Sequence, residues 1–148
     1  VLMTAVATAA VAAHPFAEED VENLYVLEGE SVGDYYGWVG ANIGDIDGDG
    51  DNDLAIPAIL ESASGPLAGR VYIHSGATGE ILHTADGTDF ELFGYSTAGA
   101  GDVDGDGTPD YVIGARSLTT DAPSGRVVVK SGADHSVLLE LSPTSDPG

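Results

Sequence analysis

Apolar positions along this chain fall in eight short runs, at about 37–43, 54–59, 70–74 and 80–84, then 94–100, 111–115, 126–130 and 136–141. Leu54–Ile59 (LAIPAI) and Tyr111–Ala115 (YVIGA) are short, apolar and β-branched and carry Pro or Gly, which suits strands rather than helices. Glycine-rich turns separate the runs, and no stretch shows the 3.6-residue period of an amphipathic helix. The pattern predicts an all-β chain of eight strands.

The first four runs and the last four are one pattern written twice. Asp45–Asp53 (DIDGDGDND) returns 57 residues later as Asp102–Asp110 (DVDGDGTPD). At the same offset Tyr36-Gly37-Trp38 answers Phe93-Gly94-Tyr95. Gly69-Arg70-Val71 then answers Gly125-Arg126-Val127, and Ser75-Gly76-Ala77 answers Ser131-Gly132-Ala133, now 56 residues apart. One residue has dropped from the intervening loop, where a deletion is cheap. Four short strands per repeat of this length are the signature of a propeller blade, whereas a β-solenoid with calcium turns has a far shorter period. The expected fold is therefore two four-stranded antiparallel blades, repeat one over 36–92 and repeat two over 93–148. Residues 24–35 precede them as the outer strand and turn of an earlier blade, since Leu24–Leu27 aligns with Ile81–Thr84.

Each acidic string places carboxylates at loop positions one, three, five and nine: Asp45, Asp47, Asp49 and Asp53, then Asp102, Asp104, Asp106 and Asp110. Adjacent carboxylates in such a string repel by roughly 2–4 kcal/mol per close pair at an effective dielectric near 20, and a bound cation reverses the sign. Calcium suits the donor set, because it takes six to eight hard oxygen ligands in flexible geometry. Gly50 and Gly107, at position six, permit the sharp turn, and Asp51 and Thr108, at position seven, would offer backbone carbonyls. An EF-hand needs an acid at position twelve and a helix on either side; Ile56 and Ile113 stand there instead. The expectation is two calcium sites, each at a strand-to-strand connection.

Charge narrows the partners. Twenty-five acids face four bases, a formal net charge of −21. Two calcium ions would offset only four of these charges. Nucleic acid and anionic membranes, which are bound through Lys and Arg, are excluded as partners. The excess also suits a salty medium, where screening makes an acidic surface tolerable. With no cysteine there is neither a disulfide nor a thiolate metal site, so a secreted protein of this kind would lean on calcium.

Residues 1–13 (VLMTAVATAAVAA) are uncharged and end in small residues, like the apolar core and cleavage site of a secretory signal, although no basic residue precedes them. They are too short to span a bilayer, so no membrane insertion is expected. Residues 14–23 are acidic and carry a proline, and read as a linker. The four histidines, His14, His74, His83 and His135, show no zinc-binding spacing and read as surface residues. No nucleophile elbow, Walker loop or dinucleotide fingerprint is present, and the tightest acid clusters are claimed by calcium. The chain reads as non-enzymatic.

With Tyr36-Gly37 and Phe93-Gly94 before the acidic loops and Gly114-Ala115 after the second, residues 34–141 resemble the FG-GAP repeats of integrin α-subunit β-propellers and their bacterial relatives. The Asp-x-Asp-x-Asp-Gly-x-x-Asp pattern is met in both copies; Ile56-Pro57-Ala58 and Gly114-Ala115-Arg116 depart from Gly-Ala-Pro. The resemblance implies calcium loops that join the first two strands of each blade and rigidify it. It implies a secreted or cell-surface recognition or adhesion scaffold, with a protein or glycan partner on the face away from those loops, at 60–69 or 116–125. Closed propellers use four to eight blades. Two repeats are thus expected either as a fragment of a longer propeller, packed on further repeats, or as a unit that self-associates. The competing expectation is an accessory domain of a secreted glycan-active hydrolase or lyase. Tyr36 and Phe93, each followed by glycine, are expected to wedge between neighbouring blades.

Overall fold

The computed structural model describes residues 25–119 and 125–143. The signal-like segment 1–13 and the linker 14–23 lie outside the described residues. Eight strands follow in order: β1 (Ala41–Gly44), β2 (Asp53–Ala58), β3 (Arg70–His74), β4 (Ile81–Asp86), β5 (Phe93–Gly101), β6 (Asp110–Ala115), β7 (Arg126–Lys130) and β8 (Val137–Leu141). They form two antiparallel meanders, β1-β2-β3-β4 and β5-β6-β7-β8, and no helix occurs among the described residues. The all-β reading and the two four-stranded blades hold.

Two local departures have physical reasons. The first run begins as a strand only at Ala41, because residues 36–38 form a turn: Gly37 N–H donates to the Pro57 carbonyl at 3.0 Å and Trp38 N–H to the Tyr35 carbonyl at 3.1 Å. Tyr25–Leu27, aligned above with an outer strand, has no strand pairing. It is pinned instead by the Tyr25 hydroxyl, which donates to the Gly76 carbonyl at 2.7 Å.

Alternation along the strands sorts each sheet into two faces. In the first sheet Ala55 pairs with Ile73, and Pro57 with Val71, which in turn pairs with Ala85. This face meets the second blade, and Ile43, Ala55, Val71, Ile73 and Ala85 form one core with Phe93, Tyr111, Ile113 and Val128. Phe93 is the wedge the sequence predicts: it is buried in that core, with Arg126 over its ring at 5.4 Å. Gly94 follows because a Cβ there would meet Pro57 Cβ at 2.6 Å and Val71 Cγ2 at 2.8 Å. The opposite face of the first sheet carries Tyr72 and His74, and half-buried Tyr36 packs edge-on against both. His74 is buried, which corrects its reading as a surface residue. Its ring is hydrogen-bonded to Tyr36 Oη at 2.8 Å and to the Gly79 carbonyl at 2.9 Å, so burial leaves no polar atom unpaired.

The far face of the second sheet is not covered by any of the described residues. Val127 pairs with Leu141 and Val129 with Leu139, and Val127, Leu139 and Leu141 are 39%, 48% and 57% exposed. These positions correspond, through the repeat, to Val71, Ala85, Ile73 and His83 in the sheet that the second blade covers.

A strap joins the blades. Residues 66–69 accept backbone hydrogen bonds from Phe90, Leu92, Phe93 and Gly87, so the backbone of the loop named above as a partner candidate fastens the interblade linker. Phe90 and Leu92 adopt left-handed conformations there, φ 59° and 48°, matching Gly33 and Tyr35 at the equivalent place ahead of the first repeat, φ 87° and 59°.

Candidate metal centres

Both acidic strings leave the first strand of a blade through a bulge and re-enter as its second strand. Ladder register slips between Asn42 and Gly44 and again between Gly99 and Gly101. Gly44 and Gly101 are left-handed at these bulges, which turn Asp45 and Asp102 out of the sheets.

Within each loop the carboxylates fold the backbone around themselves. Asp45 accepts from the N–H groups of Gly48 (2.7 Å), Asp49 (3.1 Å) and Gly50 (3.0 Å), Asp47 from Asp49 (3.0 Å), and Asp49 from Asp51 (2.9 Å). The second loop repeats four of these five: Asp102 accepts from Gly105 (2.7 Å) and Gly107 (3.0 Å), Asp104 from Asp106 (3.0 Å), and Asp106 from Thr108 (2.7 Å). Gly50 and Gly107 are left-handed, φ 101° and 97°, as a turn at position six requires. The curl brings carboxylate oxygens of Asp45, Asp47 and Asp49 within 4.8 Å of one another, and those of Asp102, Asp104 and Asp106 likewise. Three hard anionic oxygens this close, with backbone N–H groups holding each loop shut, fit a hard divalent cation.

The ninth-position acids behave differently. Asp53 and Asp110 are fully buried at the starts of β2 and β6, outside those three-carboxylate groups. Asp53 accepts from Ile46 N–H at 2.8 Å and Gly76 N–H at 3.0 Å; Asp110 accepts from Val103 N–H at 2.6 Å and Gly132 N–H at 3.0 Å. Each therefore ties its loop to the next β-turn. The charge of Asp53 still reaches the first cluster: loss of water around Asp47 and the charges of Asp53, Asp49 and Asp45 raise the Asp47 carboxyl above the ordinary value, against the hydrogen bond from Asp49 N–H. Asp51 and Thr108 are brought to position seven with their N–H groups held by the fifth-position acids.

The sequence reading missed Ser75-Gly76-Ala77 and Ser131-Gly132-Ala133 as parts of the site. A Cβ on Gly76 would run into the Asn52 carbonyl, and one on Gly132 into that of Pro109, so only glycine lets these turns support the loops. Their recurrence at a fixed offset was the available signal. The two loops also touch: a Cβ on Gly44 would lie 2.7 Å from Pro109 Cβ, and one on Gly132 3.1 Å from Ile46 Cγ2.

At the other end of β5, about 20 Å away at roughly 3.3 Å per residue, lies an exposed aromatic group. Trp38 and Tyr95 have ring centroids 5.7 Å apart, Tyr35 lies 6.3 Å from Trp38, and Arg116 sits over Tyr95 at 5.7 Å. Trp38 Nε1–H donates to the Tyr95 carbonyl at 3.2 Å, linking the two repeats.

Tandem antiparallel blades, each with an acidic loop between its first two strands, define a class of repeat protein. Sequence comparison places the chain within it more closely. The chain is 36% identical over 122 residues to integrin alpha-PS2 of Drosophila melanogaster, covering 74% of this chain. It is 35% identical over 107 residues to integrin alpha-5 of Xenopus laevis, covering 66%, and 37% identical over 128 residues to integrin alpha-V of Gallus gallus, covering 80%. The chain spans 8%, 10% and 12% of the length of these three relatives. No family model matches it. Homologous to integrin α subunits over most of its length, and built of two four-stranded sheets, the chain is an integrin α-like segment of FG-GAP β-propeller type.

Proposed function

We propose that the chain is a calcium-loaded segment of an extracellular β-propeller that serves as a recognition or adhesion scaffold. The observation that carries this reading is the pair of matching carboxylate cradles, Asp45/Asp47/Asp49 and Asp102/Asp104/Asp106. Asp53 and Asp110 complete the acid set, and Asp51 and Thr108 supply main-chain oxygen. Calcium bound there neutralises the crowded carboxylates and fixes the turn between the first two strands of each blade. The likeness to integrin α subunits supports a cell-surface or secreted setting and a protein or glycan partner. The exposed aromatics Tyr35, Trp38 and Tyr95, at the end of the sheets away from the loops, are the contact surface this reading favours. The uncovered far face of the second sheet supports packing against a further repeat or a second copy.

Isothermal calorimetry of calcium binding tests the proposal. Two binding events are expected in the intact chain, and one in each of the variants Asp47→Ala and Asp104→Ala. Absence of any calcium-dependent heat, with no calcium-dependent rise in the melting temperature, would overturn it.

A further inference from the structure

Across the seam between the blades, His83 of β4 and His135 of the β7–β8 turn lie face to face. Their ring centroids are 3.9 Å apart and their planes within 10°. Neither belongs to the acidic loops, and the comparison of repeats shows that the pair is not a by-product of the fold. His135 stands where the first repeat has Gly79, 56 residues earlier. Both adopt the left-handed backbone, φ 60° and 75°, which glycine takes freely and a side chain does not. His83 stands where the second repeat has Leu139. One blade thus holds an imidazole, at a turn its sister repeat fills with glycine, against an imidazole of the other blade, at a strand position its own sister fills with leucine.

The surroundings decide what the pair does. Tyr111 Oη, from β6, is hydrogen-bonded to His135 Nδ1 at 3.1 Å. Lys130 of β7 bears on both rings, and it has no ion-pair partner among the described residues. The charge of Arg126, on the same strand, bears on Lys130, that of Asp86 on His83, and that of Asp134 on His135. A proton on either imidazole therefore meets the Lys130 ammonium at once, and a second proton meets the first; Asp86 and Asp134 oppose this only in part.

We propose that His83 and His135 form an acid-sensitive latch on the interblade seam, closed when both rings are neutral and loosened when either takes up a proton. Burial, then the nearby His83 and Lys130, pushes His135 down to about 4, and burial with Lys130 lowers His83 as well. Because both folded-state values lie below the ordinary 6.5, the latch holds fully above pH 6.5 and weakens as pH falls towards 4. The device couples the seam to mildly acidic surroundings without touching the acidic loops.

The test uses the 148-residue chain and two variants, each taking its residue from the sister repeat: His135→Gly and His83→Leu. Thermal unfolding is followed at pH 7 and pH 5, with saturating calcium and with chelator, and the imidazole C2 protons are titrated by NMR. The latch requires His135 to titrate more than one unit below 6.5. It also requires the wild-type midpoint to fall at least twice as far between the two pH values as that of either variant, in both buffers. Protection factors of the Leu92 and Phe93 amides, bonded across the strap to Leu67 and Ala68, should drop at least tenfold more in wild type than in His135→Gly. Both histidines titrating near 6.5, or equal falls in wild type and both variants, would overturn the proposal.

Discussion

Gly94 and Gly37 occupy the same place in the two repeats, and replacing each by alanine separates the interblade contact from the backbone cost. Both are left-handed, φ 88° and 78°, so either substitution carries a conformational penalty of about 1–2 kcal/mol. Their surroundings differ. The alanine methyl at 94 would lie 2.6 Å from Pro57 and 2.8 Å from Val71, both in the packed face of the first sheet, whereas at 37 nothing lies within 4 Å. Overpacking of a dense interface adds about 1–3 kcal/mol. Gly94→Ala should therefore cost about 2–5 kcal/mol and Gly37→Ala about 1–2 kcal/mol. Urea unfolding followed by circular dichroism and by Trp38 fluorescence measures both, at a conversion of roughly 2–4 °C per kcal/mol if heat is used instead. Equal costs for the two glycines, or a larger cost at 37, would refute the packing of β5 against Pro57 and Val71.

Three further outcomes follow from the site and its supports. Asp47→Ala and Asp104→Ala should each remove most of the calcium-dependent stabilisation at one loop, about 2.7 kcal/mol at a hundredfold excess over Kd, and leave the melting temperature in chelator nearly unchanged; differential scanning calorimetry with and without calcium reads this. Gly132→Ala should displace Pro109 and loosen the Asp110 anchor, seen as weaker calcium binding at the second loop only in a titration of the two sites. Arg126→Ala should cost about 3–5 kcal/mol at pH 7, because it strands the buried Glu91 carboxylate, which also accepts from Thr88 N–H at 2.6 Å. Burial alone would raise the Glu91 carboxyl, but Arg126 and Thr88 hold it below its ordinary value. The stability this gives is present above pH 4.5 and is lost as pH falls through the folded value, so the Arg126→Ala deficit should shrink in acid unfolding curves.

Much of the architecture was legible because apolar alternation and the doubled acidic string are local signals. Asp45–Asp53 and Asp102–Asp110 announce their own turns, and runs such as Val127–Val129 have no conformation as favourable as a strand. The candidate site was legible as far as the acids go. What supports them was not: Gly76 and Gly132 matter through carbonyl oxygens of Asn52 and Pro109, more than twenty residues away, and no spacing rule encodes such a meeting. His74 looked like an exposed strand histidine because its partners, Tyr36 Oη and the Gly79 carbonyl, come from a preceding turn and a following one. The His83–His135 stack depends on how one blade leans on the next, a tertiary fact absent from either repeat alone.

The far face of the second sheet, bare among the described residues, sets two forces against each other in solution. Val127, Leu139 and Leu141 invite association, while a net charge of −21 makes the molecules repel. That repulsion reaches about 30 Å at 0.01 M salt and only about 3 Å at 1 M. Ionic strength is thus a dial on crowding between chains: dilute buffer holds them apart, and brine lets the greasy side find cover.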